Sequence, residues 1–157
     1  MDDNKKEVDG MRRIRNMVRG FTLIELLIVL AVIAALLAIV TPIALNAVAQ
    51  AKAAQVASNL RNIKSAIESY VMITRGASGL QNQASLNDSH VLVSQGYLTK
   101  TAGLADYKVQ ATVATPTINA TITYTGGVDI SKLINILPEA TGSNTEVTYS
   151  FRIPIWW

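Results

Sequence analysis

Residues 21–40 read FTLIELLIVLAVIAALLAIV, and Thr22 and Glu25 are the only polar side chains among them. From Leu26 to Val40 the run is apolar without a break. A stretch of ~20 such residues is long enough to cross a bilayer as a helix. Apolar residues surround the whole helix instead of forming a stripe, which argues against the buried helix of a soluble domain. Arg12, Arg13, Arg15 and Arg19 stand just before it. Positive flanks of this kind stay on the cytoplasmic side, so the C-terminal bulk is sent outward.

Two plainer explanations compete, and Glu25 separates them from a third. An ordinary secretory signal fits the basic start and offers Ala47-Val48-Ala49 as a small-residue cleavage site. Its apolar core, however, should run only ~7–15 residues and has no use for a carboxylate. A plain signal anchor accounts for the length but not for the charge. An acidic residue inside a span costs up to ~3 kcal/mol at mid-bilayer, less near the end where Glu25 sits, and calls for a partner that lipid does not supply.

Gly20-Phe21-Thr22-Leu23-Ile24-Glu25-Leu26-Leu27-Ile28-Val29 resembles the class III signal of type IV prepilins and pseudopilins. A small residue before the cut, a bulky one after it, a glutamate four residues on and an apolar run behind form a combination seldom met by chance. The resemblance covers about the first third of the chain. It implies that a prepilin peptidase cleaves between Gly20 and Phe21 and methylates the new N-terminus at Phe21. It also implies that Glu25 pairs with the N-terminal amine of a neighbouring subunit. Pro42 falls where many pilins carry a proline, and its missing N–H and ring clash are expected to kink the helix.

Helical patterning resumes after Pro42. Leu45, Val48, Val56, Leu60, Ile63, Ile67 and Tyr70/Val71 recur at spacings near three and four, leaving Asn59, Arg61, Asn62, Lys64 and Glu68 on other faces. Arg75 in the last turn and Gly76 just beyond are the expected stop. A helix from Phe21 to Arg75 would run ~80 Å, apolar all round in its first half and amphipathic in its second.

The rest reads as a small sheet. Residues 77–90 are rich in Ser, Asn and Gln and suit a loop, with Asn87 or Asp88 capping a short helical turn that ends near Gln95-Gly96. Tyr107, Val109, Ala111 and Val113 alternate with polar or small residues, as do Ile118, Ala120, Ile122 and Tyr124, with Pro116 between the runs, as in a hairpin. Gly126-Gly127 breaks the chain, Asp129 is placed to cap a helix from Ile130 to Leu137, and Pro138 helps to stop it. A last strand starts at Val147 with Tyr149, Phe151, Ile153 and Ile155 on one face, and Pro154 puts its end on an edge. The expected fold is α+β: a long N-terminal helix packed on a small antiparallel β-sheet head. The expected division is a cleaved leader at 1–20, a transmembrane and filament-core helix at 21–49, and a head at 50–157 that includes the second half of the helix.

Two features depart from the family pattern. Many pilins close a C-terminal loop with a disulfide, and this chain has no cysteine, so packing or another device must secure the head. Many also carry a glycine between the apolar start and the proline, and residues 21–41 contain none. Whether that stretch melts locally in a filament is therefore left open.

Charge and composition narrow the function. Residues 1–20 hold six Lys/Arg against four Asp/Glu, and residues 21–157 eight against seven. The positive balance thus belongs mostly to the leader, and the remaining cations are spaced singly. Nucleic-acid binding, as by a minor pilin, is possible but not indicated. His90, with Asp88 near it, is the lone histidine and is expected to be an exposed residue of a capped turn. Asp106, Asp129, Glu139 and Glu146 are scattered, and Arg61, Lys64 and Arg75, interrupted by Glu68, suit a solvated face. No catalytic set, metal ligand, cofactor or small-molecule substrate is expected. Asn87-Asp88-Ser89 and Asn119-Ala120-Thr121 fit the glycosylation triplet, a frequent accidental match. Trp156-Trp157 is expected to close the sheet more than to serve as an adhesive tip.

By resemblance, the chain is expected to be a structural subunit of a type IV pilus, with adhesion, twitching motility or DNA uptake as the filament's role. The alternative is a pseudopilin of a type II secretion system. The implied partners are other copies of the chain in a helical filament, prepilin peptidase and the pilus assembly machinery of the inner membrane. A single-pass inner-membrane precursor would then become an extracellular fimbrium.

Overall fold

The computed structural model describes residues 20–99 and 103–157. The Arg-rich segment 1–19 of the expected leader lies outside the described residues. The chain divides into two compact units, at residues 1–41 and 42–157.

Helix α1 (Leu23–Thr74) belongs to both, and its first part is the whole described structure of the first unit beyond the three residues leading into it. Every residue from Gly20 to Val48 is exposed. This is what an all-apolar run must look like when none of the described residues covers it. By length and composition α1 is able to cross a membrane. It continues through Pro42 instead of ending there. Pro42 has no N–H to donate backward, and one residue earlier the Thr41 hydroxyl donates to the Leu37 carbonyl at 2.7 Å.

In the second unit α1 changes character at Ala53. Ala53, Val56, Ala57, Leu60, Ile63, Ala66, Ile67, Tyr70 and Val71 are buried, a stripe at helical spacing that joins the core of the sheet. Leu45 and Val48, expected at the head of this stripe, are exposed, because the head covers the helix only from Ala53 onward. The helix also stops one residue early. Arg75 itself takes the left-handed conformation (φ 51°) that ends a helix, a place more often held by glycine. The Thr74 hydroxyl bonds back to the Tyr70 carbonyl at 2.7 Å, and the Tyr70 hydroxyl donates to the Ser78 carbonyl.

Five antiparallel strands follow: β1 (Ala84–Ser85), β2 (Tyr107–Ala114), β3 (Thr117–Tyr124), β4 (Ala140–Gly142) and β5 (Val147–Pro154), in the order β1-β2-β3-β5-β4. The expected hairpin is β2–β3, in register from Tyr107↔Tyr124 to Ala114↔Thr117. Its inward residues pair across to β5, with Val109↔Ile122 and Ile122↔Tyr149 forming one buried row. Strand β5 is central where β4 covers it, over Val147–Tyr149, and has an open side from there to Pro154. Proline is tolerated on such an edge because no ladder N–H is missed there. Helix α3 (Ile130–Ile136) begins as expected at Asp129, whose carboxylate accepts from the N–H groups of Ser131 and Lys132 at 3.1 and 3.3 Å.

Strands β1 and β4 are additions to the expected plan, each too short to show an alternation. β1 lies in the segment read as loop, and β4 is shaped by its turn. Gly142 has φ 129°, and a Cβ there would lie 2.2 Å from the Glu146 carbonyl, so only glycine fits.

Side-chain bonds between the helix and the head hold the cysteine-free unit together. Lys52 Nζ donates to the Gly126 carbonyl (3.2 Å), Asn59 to the Tyr107 hydroxyl (3.1 Å), and Arg61 to the Ile136 carbonyl (2.7 Å). Lys64 Nζ lies 5.3 Å from the Phe151 ring centre and 5.8 Å from that of Tyr149, within cation–π range. Arg61 and Lys64, expected on a solvated face, therefore turn toward the head. Long side chains can do this from the flank of a buried stripe while keeping their charges partly wet.

Candidate assembly site

Gly20, Phe21 and Thr22 precede the first turn of α1, and Glu25 stands in it. A helix start leaves four backbone N–H groups without partners. Here Thr22 and Glu25 satisfy two of them reciprocally. The Thr22 N–H donates to Glu25 Oε2 at 2.7 Å, and the Glu25 N–H donates to Thr22 Oγ1 at 3.3 Å. The Thr22 hydroxyl adds a third bond to Oε2, at 2.9 Å. This is a capping box, and Thr-x-x-Glu is its sequence signature. Thr22 thus joins Gly20, Phe21 and Glu25 as a residue of this site, and its Thr-x-x-Glu motif is legible in the sequence.

The structure brings Gly20, Phe21 and Glu25 together within about one helical turn, all exposed. Pro42 stands apart, five turns along. Both bonds from Thr22 fall on one carboxylate oxygen, and a carboxylate has about four acceptor sites. An additional cationic donor can therefore approach Glu25 without breaking the cap. Gly20 is not demanded by the described fold: a Cβ at this position would meet no described atom within 4 Å, and its φ is not in the left-handed region.

Elsewhere two expectations fail. His90 is 5 % exposed, not open to water. It is itself the N-cap of α2 (Val91–Ser94), its Nδ1 accepting from the Leu92 N–H at 3.3 Å, while Asn87 Oδ1 bonds the Ser89 N–H one step earlier. Leu92 is fully buried and draws its cap inward with it. The Nε2 atom is buried without a hydrogen-bond partner among the described residues. Among the described residues no three His, Cys, Asp or Glu side chains converge as a metal site would require. Nor do the tryptophans close the sheet. Trp156 and Trp157 are exposed, and Trp157 Nε1 donates to the Arg75 carbonyl at 3.1 Å, closing the end of α1 instead.

Burial pushes the His90 pKa below its ordinary value near 6.5. Protonation would also convert the accepting Nδ1 into a donor facing another donor. Below pH ~6.5 the unfolded chain takes up a proton that the folded head resists, so stability falls with pH until the lower folded-state value is passed. Thermal unfolding of the detergent-solubilised chain is expected to show this decline between pH 7 and 5. His90→Asn, which keeps a capping side chain without the titration, should flatten that part of the profile. An equal decline in His90→Asn would assign it to other groups.

Residues 15–41 match the prokaryotic N-terminal methylation motif. No curated protein and no solved structure matches the chain. With the capping box, the junction before Phe21 and the exposed apolar helix all inside or bordering that match, this chain carries the class III signal peptide of the type IV pilins and pseudopilins.

Proposed function

We propose that the chain is a structural subunit of a type IV pilus, cleaved between Gly20 and Phe21, methylated at Phe21 and assembled through its apolar helix. Before assembly α1 anchors the precursor in the inner membrane, and prepilin peptidase and the assembly machinery act on it there. After assembly the helices form the filament core and the heads its outer surface. The observation that carries this reading is the helix, which is bare from Leu23 to Val48 and holds one carboxylate near its start. Lipid satisfies the apolar side chains but not Glu25. Bundled copies satisfy both, with Glu25 of one subunit meeting the terminal amine of the next and Pro42 bending the helix to fit. The room around Gly20 supports the same reading, since a glycine that the fold does not require suits a protease that does.

Intact-mass measurement of the protein from sheared surface material tests the processing. The expected species begins at Phe21 and carries one additional methyl group. A chain beginning at Gln50, or one retaining Met1, would overturn it.

A further inference from the structure

The large apolar side chains that the head leaves exposed are not scattered. Apart from Met72 and Ile134, they lie at the two ends of the second unit. At one end are Ile43, Leu45 and Val48, exposed at 66, 65 and 66 % on the part of α1 that precedes the buried stripe. The ~20 residues from Phe21 to Val40 already fill the ~30 Å hydrocarbon layer, so lipid does not account for these three. Asn46 between them accepts from Lys132 Nζ at 3.3 Å, which fixes this segment beside the head without covering it.

At the other end are Ile73 in the last turn of α1, Val113 near the tip of the β2–β3 hairpin, and the tryptophan pair, of which Trp156 is 76 % exposed. Two bonds hold this end together. Trp157 Nε1 donates to the Arg75 carbonyl, and the Ile155 N–H donates to the Pro116 carbonyl in the hairpin turn at 3.0 Å. The two rings meet edge to face with centres 5.5 Å apart. Rigid aromatics on a held backbone lose little freedom on binding, which makes them efficient contact anchors.

We infer that these two ends are the halves of one contact between copies of the chain, the Trp156-Trp157 end of one subunit seating on the Ile43–Val48 segment of another. This rests on the filament reading and adds a specific head-to-tail contact to it. The patches differ from each other, so the contact is heterologous and propagates as an open helix instead of closing a pair. Among the described residues neither patch shows a cluster of cations for an anionic partner: Lys132 is committed to Asn46 and Asp129, and Arg75 meets Trp157 through its backbone carbonyl. Trp156 and Trp157 are 76 and 40 % exposed, so they have roughly 300 Å² left to bury, and counted over both partners the contact only approaches the ~1,000 Å² that holds a free complex. It therefore acts where the stems also bundle and leaves isolated heads monomeric. Leu45 and Arg75 are ~45 Å apart along α1, and this distance sets the axial offset between the two subunits in contact.

The absence of native cysteine allows a direct test. The full chain carrying Val48→Cys and Trp156→Cys is expressed, and its filament and membrane fractions are treated with a mild oxidant. Under denaturing conditions without reductant the filament fraction should give a ladder at multiples of the processed chain. Either single variant should stay monomeric, and the two singles expressed together should stop at dimers. Leu45→Cys with Ile73→Cys gives a second, independent pair, and Val48→Cys with Asn119→Cys, on the outer face of β3, serves as control. Filaments in which neither pair ladders above the control overturn the contact and leave the filament reading standing. A ladder in the membrane fraction without filaments supports the contact and removes the filament reading, and the lack of both removes both.

Discussion

Glu25→Ala is expected to leave the protein inserted, processed and folded, and to lower its recovery in filaments at least ~tenfold, the effect of ~1.4 kcal/mol. The physical cause is a pair of charges. Cleavage before Phe21 creates an ammonium group, and an apolar bundle that buries it or Glu25 unpaired carries a desolvation cost of several kcal/mol. Pairing between neighbours removes both penalties, and only one axial stagger of the helices brings the groups together. The capping box supplies a control for the local role of the same residue. Alanine at 25 loses the bond from the Thr22 N–H as well as the charge, whereas glutamine at this position keeps an acceptor for it. Glu25→Gln should therefore start the helix normally and still fail to assemble. Processed protein is measured in membrane and filament fractions, with each variant expressed alone and with wild type. Wild-type recovery of Glu25→Gln would remove the electrostatic role, and loss confined to Glu25→Ala would assign the residue to helix capping.

The second large effect concerns solubility. A fragment beginning at Gln50 is expected to be a soluble monomer that unfolds cooperatively, whereas the full chain requires membrane or detergent. Every residue from Gly20 to Val48 is exposed, and the first buried side chain of α1 is Ala53, so the cut removes nothing from the core. The one side-chain bond it removes in the second unit is that of exposed Asn46 to half-buried Lys132, an interaction of small weight at the edge of the head. The amphipathic remainder of α1 still covers the sheet. Size-exclusion chromatography and urea unfolding decide the matter. Aggregation, or a broad transition without a folded baseline, would show that the division between stem and head at residue 49 is misplaced.

Much of this was legible before any coordinates, and the reason differs by element. The apolar run 26–40 identified itself because a uniformly hydrophobic helix needs no tertiary partner to be recognised. The β2–β3 hairpin and the Asp129 cap of α3 were legible because alternation and capping are local. The Thr22–Glu25 box is equally local, and its motif is equally legible. Distance along the chain defeated the remainder. Leu45 and Val48 continue the same periodicity as Val56 and Leu60, and nothing in the pattern says where the head begins to cover the helix. His90 sits in a polar segment, yet it is buried because its turn folds over Leu92 into the core.

By itself, then, the sequence determined the signal, the bare helix, the amphipathic stripe and the strand pairing of the hairpin, all set by interactions within a few residues. Only the tertiary structure decided which side chains are covered and where the cations of α1 reach. It also decided that Trp157 closes the end of α1 and that both terminal tryptophans stay open to solvent, because Arg75 and Trp157 are neighbours only after β5 has paired with β3 and the helix has packed on the sheet.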